Sequence, residues 1–117
     1  MLFVITNGFK EVQKDKLNNS GLLHYFSRVF ISEDIKAPKP NIEIFEYAIK
    51  SSNARKKNSL VVGDDWESDI TGALNFGIDA VYFCPSDNCT VPSDNGRIYK
   101  RNMVYSINAL SGLYNIL

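Results

Sequence analysis

Four apolar runs divide the chain, and each of the first three ends in a short polar turn that leads into a helical pattern. The runs are Leu2–Thr6, Val29–Ser32, Leu60–Gly63 and Ala80–Cys84. Strands that alternate with helices predict a parallel sheet built from strand–helix units. Because the runs are continuously apolar rather than alternating, we expect helices on both faces of the sheet. The pattern therefore predicts a doubly covered α/β fold.

Three helices are predicted between and after these strands, at about 9–20, 40–52 and 68–76. Gly21 and Gly77 follow the first and third helices and suit the left-handed conformation that often ends a helix. In the second helix, Ile42, Phe45 and Ala48 recur at helical spacing and predict its buried face. A helical turn at 22–26, a surface loop at 86–97, a short strand at 103–106 and a terminal amphipathic helix at 108–116 complete the prediction.

Length and charge limit the class of protein. A chain of 117 residues suits one small domain, residues 1–117, and its 13 Lys and Arg residues balance 13 Asp and Glu residues. Zero net charge gives no reason to expect a nucleic acid polymer or an anionic membrane as partner. No apolar stretch approaches the roughly 20 residues that span a bilayer, and residues 1–5 are too quickly followed by polar ones for a signal peptide. A cytoplasmic location is expected, with Cys84 and Cys89 as reduced thiols.

Four carboxylates crowd the segment that follows the third apolar run: Asp64, Asp65, Glu67 and Asp69. Two such charges in contact repel by about 4 kcal/mol at an effective dielectric of 20, so a bound cation is expected. Oxygen ligands favour Mg²⁺. The alternative is that Glu67, Ser68 and Asp69 cap and charge the next helix. That leaves Asp64 and Asp65 unexplained, at the strand end where open α/β sheets bind ligands.

Two further polar features precede the acidic segment. Thr6, Asn7 and Gly8 follow the first strand, and a hydroxyl with backbone N–H groups in a glycine-containing turn suits phosphate oxygens. Lys39 lies between two prolines, which restrict its backbone and help to orient it. Singly, these are equally a helix cap, an ordinary turn and a surface lysine. Together with the acids they supply phosphate donors, a counter-charge and a metal site, which phosphoryl transfer requires.

At these positions the sequence resembles the haloacid dehalogenase (HAD) superfamily of phosphatases and related hydrolases. Thr6 at a strand end resembles its second motif, Lys39 before a helix its third, and Gly63-Asp64 with the later Asp69 its fourth. The likeness runs from residue 2 to about 85. It implies that Thr6 and Lys39 are catalytic and that Lys39 neutralises nucleophile and phosphate.

The resemblance also implies ligand sets. Thr6, the Asn7 amide, Gly8 and Lys39 would bind the phosphoryl group. Asp64 would ligate Mg²⁺, Asp69 would do so directly or through water, and Asp65 would assist them.

The nucleophile of the family, an aspartate in an Asp-x-Asp pattern after an apolar strand, has no counterpart in this sequence, and the family's substrate-selecting cap is missing too. The fold implied is therefore an incomplete three-layer α/β/α Rossmann-like HAD core of about four to five strands, without its central strand. That open position, between the strands ending at Thr6 and Gly63, would expose unpaired edges. We expect the two strands to close up directly or to take a strand from a second copy, giving a homodimer.

The function predicted is Mg²⁺-dependent phosphatase activity on a small phosphorylated metabolite. A nucleotidase-like enzyme, with a nucleotide as that metabolite, is included in this prediction. In the intact protein it would proceed through an aspartyl-phosphate, and this chain alone would be inactive. One alternative is a receiver-like phospho-signalling module, although receivers place their acid pair before the hydroxyl and lysine. Another is a non-catalytic HAD remnant or interaction module, which need not bind Mg²⁺.

Overall fold

The computed structural model describes residues 1–8, 10–85, 97–99 and 102–117. Backbone contacts divide the chain into two compact units, Met1–Asn53 and Ala54–Leu117. The assignment of the chain to one domain stays a prediction. The predicted loop at 86–97 lies outside the described residues except for its last residue.

The first unit pairs two strands in parallel, as the sequence pattern predicts. Its elements are β1 (Phe3–Thr6), α1 (Lys10–Asn19), a 3-10 turn (Leu23–Tyr25), β2 (Arg28–Ile31), α2 (Ser32–Ile35) and α3 (Ile42–Ser51). Gly21 has φ 74°, which confirms the left-handed position predicted after α1. The one-turn helix α2 was not predicted, because Ser32 was taken as the end of the strand.

The core of the first unit forms where α3 and β2 bury their apolar side chains. Ile44, Phe45 and Phe30 are 0%, 1% and 2% exposed. Burying a side chain of this size contributes about 1.5–3 kcal/mol. Phe45 and Ala48 are buried as predicted, but Ile42 is 46% exposed and Ile44 takes its place. The first buried residue of α3 is therefore Ile44, two residues later than the spacing predicted.

The second unit contains a four-stranded sheet of order β3-β4-β6-β5. Its elements are a 3-10 turn (Lys56–Asn58), β3 (Leu60–Gly63), a π-helical turn (Trp66–Ile70), α4 (Thr71–Phe76), β4 (Asp79–Phe83), β5 (Arg97–Tyr99), β6 (Asn102–Ile107) and a 3-10 helix (Leu110–Asn115). β3, β4 and β6 run parallel, and β5 pairs antiparallel with β6. The antiparallel strand was not predicted, and the last helix is 3-10 rather than α-helical.

Position in the sheet decides how deeply each strand is buried. β4 lies between two neighbours, and its Ala80 and Val81 are both 0% exposed. β3 lies at the edge of the described sheet; none of its residues is buried and Val62 is 41% exposed. The four residues of β1 are likewise only half-buried.

The incomplete Rossmann-like α/β fold is confirmed, with six strands in the described residues rather than four to five. β1 and β3 belong to different sheets. The expectation that the two strands close up directly or take a strand from a second copy stays a prediction.

The structure bears on two further predictions, the redox state of the cysteines and the presence of membrane-spanning helices. Cys84 is disulfide-bonded, so the prediction of reduced thiols is wrong for this residue. Within the described residues, no helix combines the length and the apolar character that crossing a membrane would need.

Candidate functional site

The turn after β1 orients the Thr6 hydroxyl. Thr6 is half-buried at the carboxyl end of the strand, and the Gly8 N–H donates a hydrogen bond to its Oγ1 at 3.4 Å. The hydroxyl thus closes a local turn ahead of α1, which begins at Lys10. A Cβ on Gly8 would meet the end of the flexible Gln13 side chain, which packs over this turn. Since a hydroxyl has two lone pairs and one donor, Thr6 retains bonding capacity for a ligand oxygen.

The side chain of Asn7 brackets the backbone of Lys39. The Lys39 N–H donates to Asn7 Oδ1 at 2.8 Å, and Asn7 Nδ2 donates to the Lys39 carbonyl at 3.1 Å. These bonds join segments 32 residues apart in the chain. They bring together the two segments predicted to bind phosphate, the turn after β1 and the lysine before α3. Lys39 itself is half-buried, and its peptide bond to Pro40 is cis.

This bracket was missed by sequence reasoning, which used only the backbone amide of Asn7. The available signal was the residue type, because the planar amide of an asparagine carries a separate acceptor and donor that can pair with the N–H and the C=O of another residue.

Among the acids of the second unit that the structure describes, Asp69 is the buried one. The residue is only 7% exposed, and its Oδ2 accepts a hydrogen bond from the Asp65 N–H at 3.2 Å. A Cβ on Gly63 would overlap the Asp69 carboxylate. The π-helical turn therefore folds Asp69 back against the last residue of β3, and glycine at position 63 makes room for it.

Asp65 caps the helical segment that follows it. Its Oδ1 accepts hydrogen bonds from the N–H groups of Glu67 at 3.0 Å and Ser68 at 3.2 Å. This satisfies two donors that a helix start leaves without partners. The capping role that the alternative interpretation gave to Glu67, Ser68 and Asp69 belongs to Asp65. Asp64, directly after β3, is exposed.

The acidic segment supplies carboxylate oxygens, the type of ligand that Mg²⁺ prefers. Among the described residues no group of three or more His, Cys, Asp and Glu side chains is arranged to hold a metal ion. Mg²⁺ needs fewer, since it is commonly bound by one or two carboxylates, with water and substrate phosphate completing the shell. Asp64 and Asp69 both belong to the segment after β3, whereas Asp65 is engaged as the cap. The metal roles of all three residues stay predictions.

Trp66 is a further residue beside the acids, and sequence reasoning gave it no role. Its ring packs edge-on against Tyr82 of β4, with ring centroids 5.4 Å apart and an interplanar angle of 88°. Such a pair contributes about 0.5–1.5 kcal/mol beyond area burial. Since Trp66 is the single tryptophan of the chain, its fluorescence can report on the acidic segment.

Comparison with known proteins gives consistent matches over most of the chain. A family model for haloacid dehalogenase-like hydrolases matches residues 1–83. Pyrimidine 5'-nucleotidase YjjG of Escherichia coli is 43% identical over 76 residues, 64% of this chain and 34% of that protein. Putative HAD-hydrolase YfnB of Bacillus subtilis is 32% identical over 117 residues, 99% of this chain and 47% of that protein.

Solved structures share the fold at similar coverage. The crystal structure of YfnB bound to magnesium has a TM-score of 0.82 and 32% identity, and the match covers 99% of this chain and 47% of that one. A HAD phosphatase from Thermococcus onnurineus has a TM-score of 0.81 and 31% identity, over 98% and 49% of the two chains.

The chain thus spans about half, or less, of the length of the relatives it matches. The match nevertheless includes both phosphate-binding segments and the acidic segment, which all lie within residues 1–83. The chain belongs to the haloacid dehalogenase-like hydrolase family.

Proposed function

We propose that this chain forms the phosphate- and metal-binding part of a phosphatase that hydrolyses the phosphoric monoester of a small metabolite in the intact protein. The observation that supports it most directly is the attachment of Lys39 to the turn containing Thr6 and Gly8. A hydroxyl, glycine-turn amides and a lysine in one place suit a phosphoryl group. The proposal is supported by relatives named as a pyrimidine 5'-nucleotidase, glyceraldehyde 3-phosphate phosphatases and a phosphoserine phosphatase, names that give different phosphorylated substrates.

In this proposal each residue of the first unit has a defined task. The Thr6 O–H and the backbone N–H of Asn7 donate to the phosphoryl oxygens, and Gly8 keeps the turn tight enough for their approach. Lys39 supplies the positive charge that offsets the phosphate. Catalysis of phosphoryl transfer rests mainly on such positioning and charge neutralisation.

Asp64 and Asp69 are proposed to hold Mg²⁺, with Asp65 supporting the segment as its cap. When bound, Mg²⁺ would neutralise phosphate charge and orient its oxygens. The magnesium-bound structure of YfnB supports this assignment by similarity. The close approach of Asp69 to Gly63 supports it from the geometry of this chain.

The aspartyl-phosphate step needs a nucleophile that these residues do not supply. The sequence contains no Asp-x-Asp pattern. We therefore propose that this chain alone binds phosphate and Mg²⁺ without hydrolysing esters, and that a carboxylate from outside it completes the reaction.

Binding measurements on the purified chain test the proposal. Titration with inorganic phosphate and, separately, with MgCl₂ should give saturable binding by NMR chemical-shift changes, while hydrolysis of p-nitrophenyl phosphate stays at the level of buffer. Lys39→Ala should weaken phosphate binding about tenfold, the loss expected for a charge-assisted contact. Lys16→Ala removes an equal charge from the exposed end of α1 and is the control.

The alternatives predict different results. A non-catalytic remnant would bind neither ligand, and Asp64→Asn would change nothing. A receiver-like module would accept a phosphoryl group from acetyl phosphate onto an acid of the segment at 64–69, which intact-mass measurement detects. The cytoplasmic location and the lack of nucleic acid and membrane partners stay predictions, which cell fractionation and filter binding would check.

A further inference from the structure

The amide side chain of Asn7 makes a two-point contact with a single residue. Its oxygen accepts from the Lys39 N–H at 2.8 Å and its nitrogen donates to the Lys39 carbonyl at 3.1 Å. A planar amide that engages both polar groups of one residue fixes orientation as well as distance, as one strand does for the next in a sheet. Asn7 thus holds the lysine backbone at a set position beside the turn that follows β1.

The segment around Lys39 is constrained from its other side too. The Asn41 N–H donates to the Pro38 carbonyl at 3.0 Å, so Lys39 and Pro40 lie at the centre of a closed turn just before α3. Proline on each side limits the backbone further. The two Asn7 bonds tie this closed turn to the segment that follows β1.

We infer that the Asn7 side chain is a positioning residue that acts through Lys39, an inference that rests on the proposed function. Its backbone N–H and its side chain have separate tasks: the N–H faces the phosphoryl group, and the side chain sets where the lysine side chain starts. A lysine has four rotatable side-chain bonds, so a fixed starting point narrows the volume that its ammonium explores and raises its occupancy beside the phosphate.

The geometric part of the inference is tested by amide hydrogen exchange on the ¹⁵N-labelled chain without ligand. In Asn7→Ala the Lys39 N–H should exchange about tenfold faster, because its acceptor is lost. Asn7→Asp keeps an acceptor oxygen and should retain the protection, which separates loss of the bond from general loosening. Asn19→Ala, an exposed asparagine at the end of α1, is the control. Unchanged exchange in Asn7→Ala would refute the bracket.

A double-mutant cycle tests the functional part, with inorganic phosphate as the probe and NMR titration of the full chain as the measurement. Asn7→Ala leaves the backbone N–H in place and should raise the dissociation constant about fivefold, as expected for the loss of one net hydrogen bond. In a Lys39→Ala background the same change should have an effect below about 1.5-fold, because nothing remains to be positioned.

The outcomes separate the inference from the proposed function. Equal effects of Asn7→Ala in both backgrounds, or none in either, would overturn the positioning role while leaving the phosphate site intact. If Lys39→Ala itself leaves phosphate binding unchanged, the proposed function fails and the inference fails with it.

Discussion

Asp64 and Asp65 are adjacent, carry the same charge, and are given different tasks by the structure. Asp65 Oδ1 accepts from two backbone N–H groups at 3.0 and 3.2 Å, whereas Asp64 is exposed at the end of β3. Replacing Asp65 by alanine should therefore lower stability and leave Mg²⁺ binding nearly unchanged. Replacing Asp64 by alanine should weaken Mg²⁺ binding and leave stability nearly unchanged.

The magnitudes follow from these contacts. Loss of an aspartate N-cap costs about 1 kcal/mol, which lowers the melting temperature of a chain of this size by about 4 °C. Asp65→Ala should show that loss, with a Mg²⁺ dissociation constant within about threefold of the parent. Asp64→Ala should change stability by less than about 0.5 kcal/mol. It should weaken Mg²⁺ binding by at least about tenfold, since a lost ligand matters at least as much as a lost outer-shell partner.

Urea unfolding followed by circular dichroism gives the stabilities, and Trp66 fluorescence during MgCl₂ titration gives the affinities. Glu67→Ala is the matched control, because it removes one exposed negative charge from the same segment. The reasoning is refuted if Asp64→Ala destabilises the protein as much as Asp65→Ala, or if Asp65→Ala abolishes Mg²⁺ binding and Asp64→Ala does not.

Three other predictions follow from packing and sheet edges. Gly63→Ala should displace the Asp69 carboxylate and weaken Mg²⁺ binding, seen in the same titration; unchanged affinity would contradict the close approach. Ile70 is 0% exposed, so Ile70→Ala should lower the free energy of unfolding by about 2–5 kcal/mol in urea. Val62 is 41% exposed, so Val62→Ala should lower it by less than about 1 kcal/mol. If β1 and β3 pair with strands of a second copy, light scattering should give twice the 13.2 kDa monomer mass, and a monomer would refute this.

The position of most elements was predictable because their signals are local. A continuous apolar run next to a polar turn marks a strand whatever the distant parts of the chain do, and β3 was predicted with its observed bounds. Glycine with a left-handed φ of 99° ends α4 at Gly77, as its sequence position indicated. Helical spacing also predicted α3, although Ile44 rather than Ile42 is buried, because the packing partner and not the periodicity fixes the rotation of a helix.

Residue types and their spacing determined the chemical inventory: a hydroxyl, a glycine turn, a lysine and a carboxylate cluster suited to phosphate and Mg²⁺. Composition and order along the chain suffice for that, since these functional groups are properties of single residues. Tertiary structure alone decided which groups are engaged with one another. The bracket between Asn7 and Lys39 joins residues 32 positions apart, a separation over which no local sequence signal acts, whereas the capping bonds of Asp65 reach only two and three residues along the chain.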